Sequence, residues 1–101
     1  MAKLRIRFAS GLTGHANLPF SRPLYIGTSP ECDIALDDKA VAPVHCRIVR
    51  QENRFYVHSE AESSGVFLNG KHVTSAPLSD GDVLQLGRCE ILVSLEDRWP
   101  R

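Results

Sequence analysis

The chain has 101 residues, of which 43% are hydrophobic and 24% charged, the size of one domain around a single core. Twelve basic and twelve acidic side chains cancel to a formal net charge of zero. That balance argues against nucleic acid or an anionic membrane as main partner, because both select a basic excess.

No apolar run approaches the roughly 20 residues of a membrane span, and Met1-Ala2-Lys3-Leu4-Arg5 has no apolar signal core. A cytoplasmic setting without direct membrane insertion is expected. Three cysteines, Cys32, Cys46 and Cys89, form no Cys-x-x-Cys pair, so neither a zinc knuckle nor a redox dithiol is indicated. Cys46 and Cys89 fall in apolar-alternating runs, where a free thiol acts as a small buried hydrophobe.

The apolar period is two almost throughout. Leu4, Ile6 and Phe8 alternate with Lys3, Arg5 and Arg7, the pattern of a half-buried strand. Gly11 to Gly14 break it, and Pro19 and Pro23 bracket a short extended piece. Leu24-Tyr25-Ile26 runs into Gly27 and the turn-rich Thr28-Ser29-Pro30-Glu31. Asp33 to Leu36 is briefly β-like before Asp37-Asp38-Lys39, and the acidic run Asp33, Asp37, Asp38 is expected to be a solvated loop. From His45 to Gln51, Cys46, Ile48 and Arg50 share one face, with His45, Arg47 and Val49 on the other. Glu52-Asn53 turns the chain into Arg54 to His58, where Phe55 and Val57 share a face.

Further on, Gly65-Val66-Phe67-Leu68 enters Asn69-Gly70 and leaves through Lys71-His72-Val73. Asn-Gly between short β-prone runs is the strongest local hairpin signal, since both residues accept positive φ. Asp80-Gly81 opens Val83 to Leu86, and Gly87-Arg88 bends the chain into a last run carrying Cys89, Ile91, Val93 and Leu95. Nowhere do apolar residues keep a helical period over two turns. Many short strands with frequent turns predict an all-β sandwich or small barrel in one domain, residues 1–101 with its core at about 4–95. Arg98-Trp99-Pro100-Arg101 follows the last strand directly, with Trp99 packed on a sheet edge or beginning a linker; a fragment of a larger protein is expected.

Catalysis finds little support. No nucleophile elbow, phosphate-cradling glycine loop or His-Glu-x-x-His is present. His15, His45, His58 and His72 lie on separate segments without metal-ligand spacing, and His45 and Cys46, adjacent on a strand, point apart. No enzyme, metal or cofactor is expected.

Tyr25-Ile26-Gly27, Cys32 to Asp38, Val41, the His45 segment, Ser63 to Gly70 and Leu78 to Gly87 together resemble the core of a forkhead-associated (FHA) domain, in order and over nearly the whole chain. The resemblance implies an eleven-stranded, mostly antiparallel β-sandwich whose loops at one end read phosphothreonine in partner proteins. It also places the reading positions. The family's phosphate-binding arginine falls at Thr28, followed by Ser29. Its Ser-x-x-His motif falls on Ala42-Pro43-Val44-His45, and its Asn-Gly-Thr loop on Ser64-Gly65-Val66, preceded by Ser63. Gly27, His45, Gly65, Asn69 and Gly70 remain, and these shape loops.

Losing a charge-assisted hydrogen bond and a neutral hydroxyl bond costs about 2–4.5 kcal/mol, on the order of 30- to 2000-fold in affinity. Pro43 adds to the loss by removing a backbone N–H and biasing Ala42 towards an extended conformation. The expectation is therefore a protein-interaction or assembly module with a degenerate phosphopeptide pocket, binding another protein without needing phosphate. The alternative is a phosphothreonine reader with a rearranged pocket that uses Lys39 or Lys71. Arg47, Arg50, Arg54 and Arg88 are read as scattered surface charge, with one basic face on adjacent strands as the alternative. Val41-Ala42-Pro43-Val44-His45 is also similar to the FHA-like cytoplasmic domains of bacterial type III secretion inner-ring proteins, one context for such a module. Edge strands of a sandwich leave self-association open.

Overall fold

The computed structural model describes residues 2–19, 21–60 and 65–95. Eleven strands follow in chain order: β1 (Ala2–Arg7), β2 (Thr13–Asn17), β3 (Leu24–Gly27), β4 (Ile34–Ala35), β5 (Cys46–Gln51), β6 (Arg54–Ser59), β7 (Val66–Leu68), β8 (Lys71–Val73), β9 (Ser75–Pro77), β10 (Val83–Leu86) and β11 (Cys89–Leu95). They form a six-stranded sheet in the order β2-β1-β11-β10-β7-β8 and a five-stranded sheet in the order β4-β3-β5-β6-β9. The arrangement is a sandwich, not a barrel. Every pair is antiparallel except β3 with β4.

Alternation builds the core. Leu4 and Ile6 of β1, Ile91 and Val93 of β11, and Leu84 and Leu86 of β10 point inward from one sheet. Leu24 and Ile26 of β3, Ile48 of β5 and Val57 of β6 answer from the other, in one continuous buried cluster. Loop residues Leu18, Leu36, Val41 and Leu78 close its rim. Cys46 and Cys89 are buried, free thiols within it.

The turns follow their chemistry. Asn69 and Gly70 both take positive φ, 53° and 86°, between the paired residues Leu68 and Lys71, as a two-residue hairpin of the primed type requires. The Asn69 side chain then pins this hairpin to β10, accepting from Val83 N–H and donating to Asp82.

Two strands escape the apolar pattern. Thr13–Asn17 and Ser75–Pro77 carry almost no apolar signal, yet both pair along a single side as sheet edges. An edge strand needs less burial and tolerates Pro77. A second difference concerns His45, which precedes β5 and is fully buried, as is Cys46; the two do not divide between inner and outer faces. Trp99 lies outside the described residues.

Candidate functional site at the loop end of the sandwich

The loop from Thr28 to Asp33 and the loop from Leu36 to His45 meet at one end of the sandwich. Thr28 N–H donates to Ala42 O at 3.1 Å and Ser29 N–H to Pro43 O at 3.1 Å. The Cys32 thiol donates to the same Pro43 carbonyl at 3.2 Å. Gly27 allows this approach, because a Cβ there would overlap the Pro43 carbonyl and lie 2.9 Å from Ala42 O. The loops are thus joined backbone to backbone.

His45 ties this pair to a third segment. Its Nδ1 accepts Ala42 N–H at 3.0 Å, and its Nε2 lies 2.7 Å from Gly65 O. A backbone amide only donates and a carbonyl only accepts, so the ring is the neutral tautomer with its proton on Nε2. Gly65 has φ +99° and lies under the His72 ring, leaving no room for a side chain. That ring also packs edge-on against Phe67 at 5.3 Å.

Asp38 forms the other anchor, and it corrects the expectation of a solvated acidic run. Its side chain is buried, with Oδ1 accepting Ala40 N–H at 3.0 Å and Oδ2 accepting Arg88 N–H at 2.6 Å. These two amides, with the Arg88 guanidinium 3.8 Å away, hold its carboxyl below the ordinary range. Asp37 accepts Ala9 N–H at 3.2 Å and Asp33 accepts Tyr25 N–H at 2.8 Å. The Tyr25 amide, and after it Arg22, lowers the Asp33 carboxyl as well. All three acids bind backbone amides. The sequence signal available was Asp38 two residues before Ala40, the spacing of an Asx turn; nothing in it foretold the partner fifty residues away.

Two shallow depressions flank the Ala40–Ala42 backbone. One, of about 360 Å³, is lined by Thr28, Leu36, Asp37, Asp38, Lys39 and Val41. The other, of about 320 Å³, is lined by Ala40, Gly65, Phe67, Gln85 and Gly87. Thr28 and Ala42 are half-buried, Pro43 and Val44 are exposed, and Val66 is turned wholly into the core. Ser63 and Ser64 lie outside the described residues.

Of the candidate replacement cations, Lys39 lines the depression beside Thr28. Lys71 does not. It faces Leu68 beside the Asn69-Gly70 turn, with the length of β7 between it and Gly65. The four arginines also fail to form one face. Arg47 is paired with Glu60 on the five-stranded sheet, whereas Arg88 belongs to the β10–β11 turn of the other sheet, beside Asp38. No group of three His, Cys, Asp or Glu among the described residues is placed to hold a metal ion. No helix there is long and apolar enough to cross a membrane.

Comparison with known proteins agrees with this fold. The FHA domain family model matches residues 24–87. The glycogen accumulation regulator GarA of Mycobacterium tuberculosis is 33% identical over 66 residues, covering 65% of this chain and 41% of that protein. The match thus spans about two fifths of the curated relative's length. A structure from a study of phosphothreonine-dependent FHA domain interactions superposes with a TM-score of 0.80 at 25% identity, covering 96% of this chain and 98% of its own. The FhaA FHA domain complexed with the intracellular domain of Rv3910 gives 0.76 at 26% identity, covering 92% and 99%.

Proposed function

The chain belongs to the forkhead-associated family, and we propose that it is a protein-interaction module of that family which engages its partner without reading a phosphate. The observation that carries this reading is the lining of the depression beside Thr28. Among the described residues that line it, Lys39 is the one basic residue, and two carboxylates, Asp37 and Asp38, share the same space. A phosphothreonine brings a charge of about −1.5 to −2 at neutral pH. Opposite one ammonium it would meet the carboxylate of Asp37 and that of Asp38, the latter already paired with Arg88, and like charges repel.

The neighbouring loop adds no compensation. Ala42 supplies no hydroxyl, and its amide already donates to His45. Thr28 N–H is taken by Ala42 O and Ser29 N–H by Pro43 O, so neither amide is available to cradle an oxyanion. What the chain keeps of the family pattern is the bracing that holds the loops together. The phosphothreonine dependence named for one structural relative belongs to that protein.

We place the module in the cytoplasm as part of a larger protein, with a regulatory or assembly role. Support comes from the free, buried thiols of Cys46 and Cys89 and from the relative that extends well beyond the matched region.

Calorimetry of the folded chain against peptide libraries with threonine or phosphothreonine at a fixed position tests the reading. Equal heats for the two forms are expected. A phosphate-dependent signal that weakens with salt and disappears in Lys39→Gln would establish the rearranged-pocket alternative instead.

A further inference from the structure

The outer face of the six-stranded sheet carries a groove of about 390 Å³ that the loop end does not use. It is lined by Lys3, Arg5, His15, Leu92 and Ser94, with Leu4 beneath. The pairing explains the convergence. Arg5 stands opposite His15 of β2 on one side and Leu92 of β11 on the other, and Lys3 stands opposite Ser94. These positions all point outward from three adjacent strands.

The electrostatics are one-sided. Arg7, the third outward cation of β1, is paired with Glu90. Lys3 and Arg5 have no ion pair among the described residues, in a chain whose formal charges balance overall. Leu92 is 38% exposed between them and the neighbouring strand, a large apolar side chain on a polar face. The Arg7–Glu90 pair neutralises the end of β1 nearest the loops, so the uncompensated charge lies at the other end of the strand.

We propose that this groove is a docking surface for an acidic, extended segment of a protein partner. Alternate residues of a strand lie roughly 6.6 Å apart on one face. Two carboxylates at that i, i+2 spacing meet Lys3 and Arg5 together, and an apolar side chain beside them covers Leu92. Ser94 and His15 supply hydrogen-bonding groups at the margins. The proposal rests on the phosphate-independent reading and adds the surface and the chemistry of the partner.

The test uses a fluorescein-labelled octapeptide alternating Glu with Val, its Gln counterpart, and fluorescence anisotropy with the intact chain. The Glu peptide is expected to bind at least tenfold more tightly than the Gln peptide at low salt, and progressively less tightly as salt rises. The exposed double variant Lys3→Gln/Arg5→Gln is expected to weaken it at least fivefold, while Arg54→Gln on the other sheet leaves it unchanged. Equal binding of the two peptides, or binding indifferent to the double variant, overturns the groove. So does a preference for phosphatidylserine vesicles, or a dimer in sedimentation that the double variant dissolves. If no phosphothreonine peptide responds either, the groove alone has failed. A phosphothreonine response abolished by Lys39→Gln overturns both readings.

Discussion

His45 and Gly65 are twenty positions apart and joined by a 2.7 Å hydrogen bond from the imidazole Nε2 to the glycine carbonyl. The opposite ring nitrogen takes the Ala42 amide, so one buried side chain fixes the spacing of the loop after β4 and the segment entering β7. These two bonds give the histidine a structural role that needs no ligand. Its work is on the scaffold.

His45→Ala removes both bonds and strands the Ala42 amide in a half-buried site. A lost buried hydrogen bond with an unsatisfied partner costs about 1–3 kcal/mol, so the variant is expected to lose about 2–4 kcal/mol in urea unfolding. His45→Gln, which offers one amide donor to Gly65 but fills less of the space at Ala42, is expected to fall between. Equal stability of all three proteins would refute the bridging role.

Asp38 sets a pH dependence whose sign follows from its hydrogen bonds. Its carboxyl is held below the ordinary value of 3.8 in the folded chain by the Ala40 and Arg88 amides. The unfolded chain therefore takes up the proton first as pH falls. The stabilisation is fully present above about pH 5 and disappears as pH drops through the depressed folded value. Asp33, also lowered by an amide, contributes in the same direction. Asp38→Asn is expected to lower the urea midpoint at pH 7 and to flatten its decline between pH 5 and pH 3. An unchanged acid limb would show that other carboxylates carry it.

Much of the sandwich was legible because alternation maps directly onto a pleated sheet: Leu4, Ile6, Ile48, Val57, Ile91 and Val93 are where period two puts them. Asn69-Gly70 was legible because φ > 0 at two successive residues is a local demand. The site was harder. Asp38 reads like any acidic turn residue, and its burial depends on the Gly87-Arg88 turn, which a Cβ at Gly87 would push against the carboxylate. Lys39 and Lys71 look equivalent along the chain, and the β7–β8 register separates them. The outer groove needs three strands from both ends of the sequence, β1, β2 and β11. Local pattern fixes which way a side chain points, and long-range pairing decides what it meets.

Gly27→Ala tests the joined loops. The new methyl meets main-chain atoms of Pro43 and Ala42, which cannot rotate away as a side chain would. Overpacking of this kind costs about 1–3 kcal/mol, and the upper end is expected because the clash is with backbone. Gly70→Ala is the comparison, since its Cβ would meet nothing within 4 Å and suffers only from its positive φ. A thermal midpoint for Gly27→Ala no lower than that of Gly70→Ala would mean that the loops part easily.

The three thiols are expected to separate by reactivity. Burial pushes the Cys46 thiol up to about 12, and burial raises Cys89 as well. Cys32 is half-buried, and burial raises its thiol too while it donates to Pro43 O. With the thiolate as the reacting form, Ellman's reagent at pH 8 should label Cys32 slowly and the other two only after unfolding. Fast labelling of two or more thiols in the native protein would contradict the packing of the core.

Glu52 offers a gain in stability. It sits at φ 59° in the two-residue connection between Gln51 and Arg54, which are paired across β5 and β6. A left-handed conformation costs an ordinary L-residue roughly 1–2 kcal/mol, and glycine escapes that penalty. Glycine loses more freedom on folding, by about 0.4–1 kcal/mol. The difference leaves Glu52→Gly more stable by about 0.5–1 kcal/mol, with Glu52→Asn improving by a smaller amount. Glu52 is exposed and far from the loop end and the outer groove, so partner binding should be unchanged. A Glu52→Gly chain that unfolds at lower urea than the wild type would mean that this turn is not strained.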